Sequence, residues 1–417
     1  MYLESKLGEV TPSVCDYPTG PSESVALDDV TRVQIETLRE DLLEHFASVG
    51  PSESSIDASN SDDAKNLIRR RHAFQRAEYR ARELAFVTRY GRELLSEFAQ
   101  GDEVTPSAIQ PVVCPVVSET KDSRLFRLAT LLWSVPVSRG YGRRMRFLVR
   151  DANNGKLAGL FALTDPVFNL RARDNWIAWS VEDRRQRLVN LMDAHVVGAV
   201  PPYSQLLGGK MVTALMTSQE VCTAFSLKYG SSQGIISREE KRAQLVLLTV
   251  TSSLGRSSLY NRLRLPGTVD FQRLGLTEGW GHFQVPDALF SRMRQLLAKD
   301  GHSYAAGHEF GQGPNWRLRV IRVALRRLGL DQNLLRHGIA REVFAAPLAD
   351  GWREYLCGQS SSVALHRPSV ATIGAQAVER WVIGRANRFP DYREWTRDQT
   401  WRLLTEAAHV ARITQQD

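Results

Sequence analysis

Tyr203–Met216 reads YSQLLGGKMVTALM. Two adjacent glycines follow a proline-broken loop and precede an apolar run at helical spacing, the usual preparation for a phosphate held at a helix N-terminus. A nucleotide loop of the Walker type needs G-x-x-x-x-G-K and then Ser or Thr, whose hydroxyl holds magnesium. Gly209 and Lys210 supply the G-K, but Met211 follows and Ser204 stands where the first glycine belongs. The nucleotide loop therefore fails at both ends. A plain turn into a helix remains open, and so does a loop for another phosphate.

The neighbouring segments set the frame. MRFLVRDANNGKLAGLFALTDP, 145–166, is two apolar runs joined across Asn153, Asn154 and Gly155, a hairpin signal. QRLVNLMDAHVVGAV predicts a buried strand before the glycine loop, and a helix is expected from about Gly209 to Tyr229. AQLVLLTVTSSL predicts another buried strand, SSLYNRLRL a short helix, and FQRLGLTEGWGHFQVPD a strand pair. After Asp287 the pattern is mostly helical. Upstream, 62–98 carries a long basic helical pattern ending in the breaker stretch QGDEVTPSAIQP.

This order of elements, from about Met145 to Val285, resembles the GNAT acetyltransferases. Their central strand is followed by [Q/R]-x-x-G-x-[G/A] and a helix that cradles a cofactor pyrophosphate. Gln205 and Gly208 match, Gly209 fills the free position, and Lys210 stands where a small residue is usual. The resemblance implies an α/β fold, a GNAT-like mixed sheet core with helical N- and C-terminal flanks. It implies acyl-CoA as a possible cofactor, and Tyr260 as the general acid that protonates a leaving thiolate. The divisions expected are an acidic, largely flexible segment at 1–60, a basic helical region at 61–100, the core with its basic helical extension at 120–345, and a C-terminal helical region at 346–417.

Charge is divided unevenly. The net is +8, yet residues 1–63 hold three Lys/Arg against fourteen Asp/Glu, net −11, leaving 51 against 32, net +19, in the remainder. A body so basic attracts polyanions through salt-sensitive, sequence-blind phosphate contacts. NWRLRVIRVALRRLGL places Arg319, Arg322 and Arg326 in one helical stripe, apart from an apolar face of Leu318, Ile321, Leu325 and Leu328. Arginine forks suit phosphate geometry, and Trp316 next to them is a candidate for stacking on a base.

Other chemistry is less visible. His282, His302, His308 and Glu309 fall in one region, but their irregular spacing predicts no metal site; His282 is a candidate proton carrier near Tyr260. GSSQG, 230–234, matches the serine-hydrolase elbow, but with a helix before it rather than a strand. No nuclease signature is present. Four dispersed cysteines, with no CxxC pair, argue against zinc knuckles and disulfides. With 43% hydrophobic and 24% charged residues, and no apolar run long enough for a bilayer, a globular cytoplasmic protein without membrane contact is expected. MYLESKLGEV has no basic start before an apolar run, in keeping with that.

Longer stretches are more specific. LTDPVFNLRARDNWIAW, GRSSLYNRL, EGWGHF, FGQGPNWRLR, LLRHGIAREVF and RWVIGRANRFPDYREW, spread from Leu163 to Trp395, resemble the DruA family of Druantia anti-phage defence systems. The resemblance implies a defence role beside a large helicase-like partner, and no catalytic assignment. Two functions stay open: a nucleic-acid-binding component, or an acyl- or aminoacyl-transferase on the same core. If the acidic segment folds back over the basic body, deleting residues 1–60 is expected to tighten nucleic-acid binding in a filter-binding titration. An unchanged affinity would count against that shielding.

Overall fold

The Asn153–Gly155 turn forms as its residues dictate. Gly155 takes φ +72°, its N–H donates to the Asp151 carbonyl at 2.7 Å, and the Asp151 carboxylate accepts from the Asn153 N–H at 3.1 Å. In the computed structural model, which describes residues 29–49, 66, 68–70, 72–135, 137, 140, 142–233, 240–282, 284–305 and 314–413, this turn joins the two strands at the heart of a mixed sheet.

The strands are β1 (Pro111–Pro115), β2 (Arg144–Asp151), β3 (Leu157–Thr164), β4 (Leu191–Ala199), β5 (Leu247–Thr251), β6 (Gln272–Leu276) and β7 (Glu342–Pro347), in the spatial order β1-β2-β3-β4-β5-β7-β6. β1 to β4 run antiparallel; β4 and β5 pair in parallel from Leu191↔Leu247 to Ala194↔Val250. β7 pairs antiparallel with β5 and with β6. Opposite β3, β4 carries one extra residue, His195, between Ala194 (paired with Leu163) and Val196 (paired with Ala162), a β-bulge.

A parallel pair needs a crossover. Here it contains α6 (Gly208–Leu215) and α7 (Gln219–Tyr229), which follow α1 (Asp29–Val49), α2 (Ala73–Leu94), α3 (Lys121–Thr130), α4 (Arg171–Ile177) and α5 (Val181–Arg187) in the chain. α6 and α7, with α10 (Val370–Ala377), bury Val212, Leu215, Phe225 and Ile373 against Phe147, Phe161, Met192 and Phe344 on one face of the sheet. On the other face Phe86 of α2, Leu125 and Leu128 of α3, and Leu404 of α11 (Arg397–Ile413) cover Leu148, Leu160 and Val196. Between β6 and β7 the chain inserts α8 (Asp287–Lys299) and α9 (Pro314–Arg327). These close a second core with α1, in which Leu38, Leu42 and Phe46 meet Met293, Val320, Ile321 and Leu325.

Several expectations change here. The helix foreseen over 209–229 is two helices, because Ser218 is extended (φ −73°, ψ 160°) and the Gln219 N–H turns aside to the Pro368 carbonyl at 3.0 Å. The SSLYNRLRL helix shrinks to a 3-10 turn at Tyr260–Arg262. Of the strand pair at 271–287 only β6 forms among the described residues; Trp280 makes an isolated bridge to Arg336. β7 interrupts the supposedly helical C-terminal third, and β1 lies in a stretch that carried no strand signal.

β7 opens on Glu342, which is 0% exposed. Its Oε1 accepts from Arg273 Nε at 2.7 Å; its Oε2 accepts from the Ser257 N–H at 2.8 Å and Asn261 Nδ2 at 3.0 Å. One carboxylate thus ties β6 and β7 to the turn that carries Tyr260. Removing it strands those donors. Glu342→Ala is expected to cost about 2–3 kcal/mol in urea denaturation; a loss under about 0.5 kcal/mol would contradict the arrangement.

The glycine loop is decided by packing as well. A Cβ on Gly208 would lie 2.6 Å from the Tyr203 carbonyl oxygen, whereas one on Gly209 would meet only Leu259 Cδ1, at 3.3 Å. Gly208→Ala is therefore expected to destabilise by about 1–3 kcal/mol. Gly209→Ala should be neutral or stabilising by up to about 1 kcal/mol, since Ala favours helix. Equal effects in thermal unfolding would refute this distinction.

Candidate functional site

β4 and β5 run in the same direction, so the segments leaving their C-terminal ends meet. Gln205 and Gly208–Lys210 leave β4 and start α6; Tyr260 follows β5. Leu207, in the left-handed region at φ +59°, turns the chain into the helix, and its carbonyl takes the Lys210 N–H at 2.9 Å. The Gln205 carbonyl accepts from Arg385 Nε at 3.0 Å. The Lys210 ammonium sits 5.5 Å from the centre of the Trp381 ring. Burial first, then the nearby charges of Arg262 and Arg380, hold its pKa below the ordinary lysine value. Lys210 in the first turn of the helix, with the charges of Arg262 and Arg380 acting on it, favours an anion. These charges fit a phosphate, but Lys210 fills the place where a small residue would let a cofactor pyrophosphate lie against the backbone.

Tyr260 packs beside this loop. Its ring centre is 5.3 Å from that of Phe344 and 6.2 Å from that of Phe271. Burial, then the charge of Asp193, pushes its phenol pKa above the usual value, so it keeps its proton at neutral pH. The residue before Tyr260 links this turn to the glycine loop: Leu259 Cδ1 would lie 3.3 Å from a Cβ on Gly209.

His282 belongs elsewhere. It lines a separate cavity of about 230 Å³ with Glu78, Arg82, Asp287 and Arg317, none from the glycine loop or the Tyr260 turn. Burial, and then Arg317, lowers its pKa to about 4, leaving it neutral at pH 7. A proton-carrier pairing with Tyr260 has no support in this placement. His302 accepts the Tyr304 N–H at 3.2 Å; His308 and Glu309 lie outside the described residues. Among the described residues no three His, Cys, Asp or Glu side chains gather as metal ligands. Ser232 sits in a short strand, 231–233, not at an elbow; Gly234 lies outside the described residues.

Two groups on β4 escaped attention. Asp193 accepts from Thr249 Oγ1 at 2.9 Å inside the parallel join, and burial raises its pKa to about 6. At the bulge, burial and then Arg144 lower the His195 pKa to about 4, against the opposing effect of the Ala162 backbone. The sequence signal was Asp-Ala-His inside an otherwise apolar strand.

On α9 the stripe is as expected: Arg319, Arg322 and Arg326 are all exposed. None of the three pairs with a carboxylate among the described residues; Arg322 Nε donates to Gln332 Oε1 at 2.7 Å. The neighbouring arginines are committed, Arg317 to Asp287 at 2.9 Å and Arg327 to Asp300 at 2.7 Å. Trp316 is corrected. It is 6% exposed, donates Nε1 to the Tyr304 carbonyl at 3.1 Å and meets Phe290 edge-on, so no face is open to a base. The exposed aromatic beside the stripe is Trp280, 37% exposed, with the Arg322 guanidinium 5.3 Å from its ring centre. Glycines on both sides of Trp280 were its signal, since an indole between two glycines has little local shelter.

Comparison with known proteins adds the family. Residues 62–358 match the family model described as Druantia protein DruA. Over 360 residues the chain is 46% identical to the Druantia protein DruA of Escherichia coli (strain UMEA 4076-1), covering 86% of this chain and 89% of that protein. No solved structure matches. The glycine loop, Tyr260, Trp280 and all of α9 lie within the matched residues, whereas α1 precedes them. With both comparisons spanning most of the sequence, the chain belongs to the DruA family of the Druantia anti-phage defence system.

Proposed function

We propose that this chain contacts nucleic acid within its defence system, seating the phosphate backbone on Arg319, Arg322 and Arg326 and a base or sugar face on Trp280, beside a helicase-like partner. The observation that carries the proposal is the exposed stripe of α9, whose three arginines have no carboxylate partner among the described residues, next to an exposed indole. Guanidinium groups kept in solvent gain little for folding and suit phosphate. The net +19 outside residues 1–63 supplies the long-range attraction.

The strand order β1-β2-β3-β4-β5-β7-β6, its single parallel pair and the loop-to-helix turn support a GNAT-like core. In this proposal the core is a scaffold, and Lys210 with Arg262 and Arg380 adds positive charge. Acetyl-CoA is then expected to leave nucleic-acid binding unchanged when added as a competitor.

Binding of labelled single-stranded and duplex DNA across a salt series tests the proposal. Reversing all three arginines to Glu is expected to weaken binding by at least about tenfold at low salt and to flatten the salt dependence, by roughly one unit of slope per lost phosphate contact. An unchanged affinity and slope would overturn it.

Trp280→Ala should weaken single-strand binding by about 1–3 kcal/mol and duplex binding by less, because stacking needs an unpaired base. Equal losses on both substrates would remove the stacking role.

A further inference from the structure

A second basic feature lies on the sheet face opposite α6. Between the sheet and helices α2 and α3 is a cavity of about 810 Å³, within the size range of small-ligand sites. Arg144 and Arg146 of β2 and His195 of β4 line the sheet side; Arg124 and Arg127 line the helix side, and Lys228 of α7 adds a fifth cation. The only carboxylates lining it among the described residues are Glu83 and Glu119, and Glu83 is engaged by Arg127 Nε at 2.5 Å. The cavity therefore keeps a surplus of positive charge.

Its cations are braced. The Arg127 guanidinium lies 4.2 Å from the Phe86 ring centre, and that of Arg146 5.7 Å from Phe126. Such stacking fixes a guanidinium plane before any ligand arrives. Among the described residues the Arg146 side chain otherwise reaches only the Ser118 hydroxyl, at 3.4 Å, and burial, then the charge of Arg144, weighs against its own charge. Val116, Ala162 and Val196 line the same space, so an apolar portion of a ligand has surface to cover.

We propose that this cavity binds an organic phosphate of nucleotide size, its phosphate oxygens on Arg124 and Arg146. The site stands apart from α9, and the proposal does not rest on nucleic acid binding there. The same chemistry is offered by a free nucleotide and by the 5′-phosphorylated end of a strand.

Calorimetric titration of the full chain separates the two. ATP, a 5′-phosphorylated tetranucleotide, its 5′-hydroxyl counterpart and inorganic phosphate are each added to wild type and to Arg124→Ala/Arg146→Ala. Saturable binding of ATP or of the 5′-phosphorylated strand is expected, weakened about tenfold or more in the double variant, and unchanged when the three α9 arginines are reversed. Tighter ATP binding assigns a free nucleotide; tighter tetranucleotide binding that needs the 5′-phosphate assigns a strand end. If the double variant does not fold, Arg146→Lys serves instead. It keeps the charge but loses the fork, and should weaken binding while retaining the wild-type unfolding midpoint. No saturable binding by either organic phosphate, equal binding by inorganic phosphate, or binding untouched by a folded variant would overturn the proposal.

Discussion

The join between β4 and β5 is the constraint on which the rest depends. Four residue pairs, from Leu191↔Leu247 to Ala194↔Val250, connect the antiparallel β1–β4 half of the sheet to the β5–β7–β6 half. Parallel strands end on the same edge, and ligand sites in such sheets form beyond those ends. The crossover after β4 brings the glycine loop to that edge, and the exit from β5 brings Tyr260 beside it. Inside the join, the Asp193–Thr249 hydrogen bond of 2.9 Å satisfies a carboxyl group that burial would otherwise leave costly. At the next residues the bulge at His195 redirects β4, which runs on to Ala199 paired only with β3.

Charge follows a different plan. The insertion between β6 and β7 builds a core with α1, and the two partners expose opposite signs. α9 shows arginines to solvent, while α1 shows Glu36, Glu40 and Glu44. Leu38, Leu42 and Phe46 dock α1 on this insertion, and Asp41 of α1 pairs with Arg292 of α8. Part of the acidic N-terminal segment is thus held by apolar packing and by the Asp41–Arg292 ion pair. Removing residues 1–60 would strip that packing together with the charge, whereas removing 1–28 would leave α1 in place.

Legibility varied with how local the cause was. Asn-Asn-Gly specifies a hairpin from three residues, and β2 and β3 lie where that turn requires. The arginine stripe of α9 needed only helical spacing. β7 was hidden because six residues beginning with a glutamate do not announce a central strand; Glu342 is buried only because Arg273, Ser257 and Asn261 arrive from distant segments. β1, Pro-Val-Val-Cys-Pro, has a proline at either end and resembles a loop until β2 pairs with it. The break at Ser218 depends on the Pro368 carbonyl 150 positions away. Trp316 opens a basic amphipathic stretch and Trp280 stands between two glycines; tertiary packing against Phe290 and Tyr304 makes the first core, while the second stays at the surface.

The most direct measurement of where nucleic acid lies is photo-crosslinking of the full chain to single-stranded DNA, with the crosslinked peptides identified by mass spectrometry. Crosslinks are expected on Trp280 and on peptides spanning Arg319 to Arg327, diminishing as salt rises. Crosslinks confined to the glycine loop or to α1, or none above a protein control of equal charge, would contradict a nucleic-acid surface on α9.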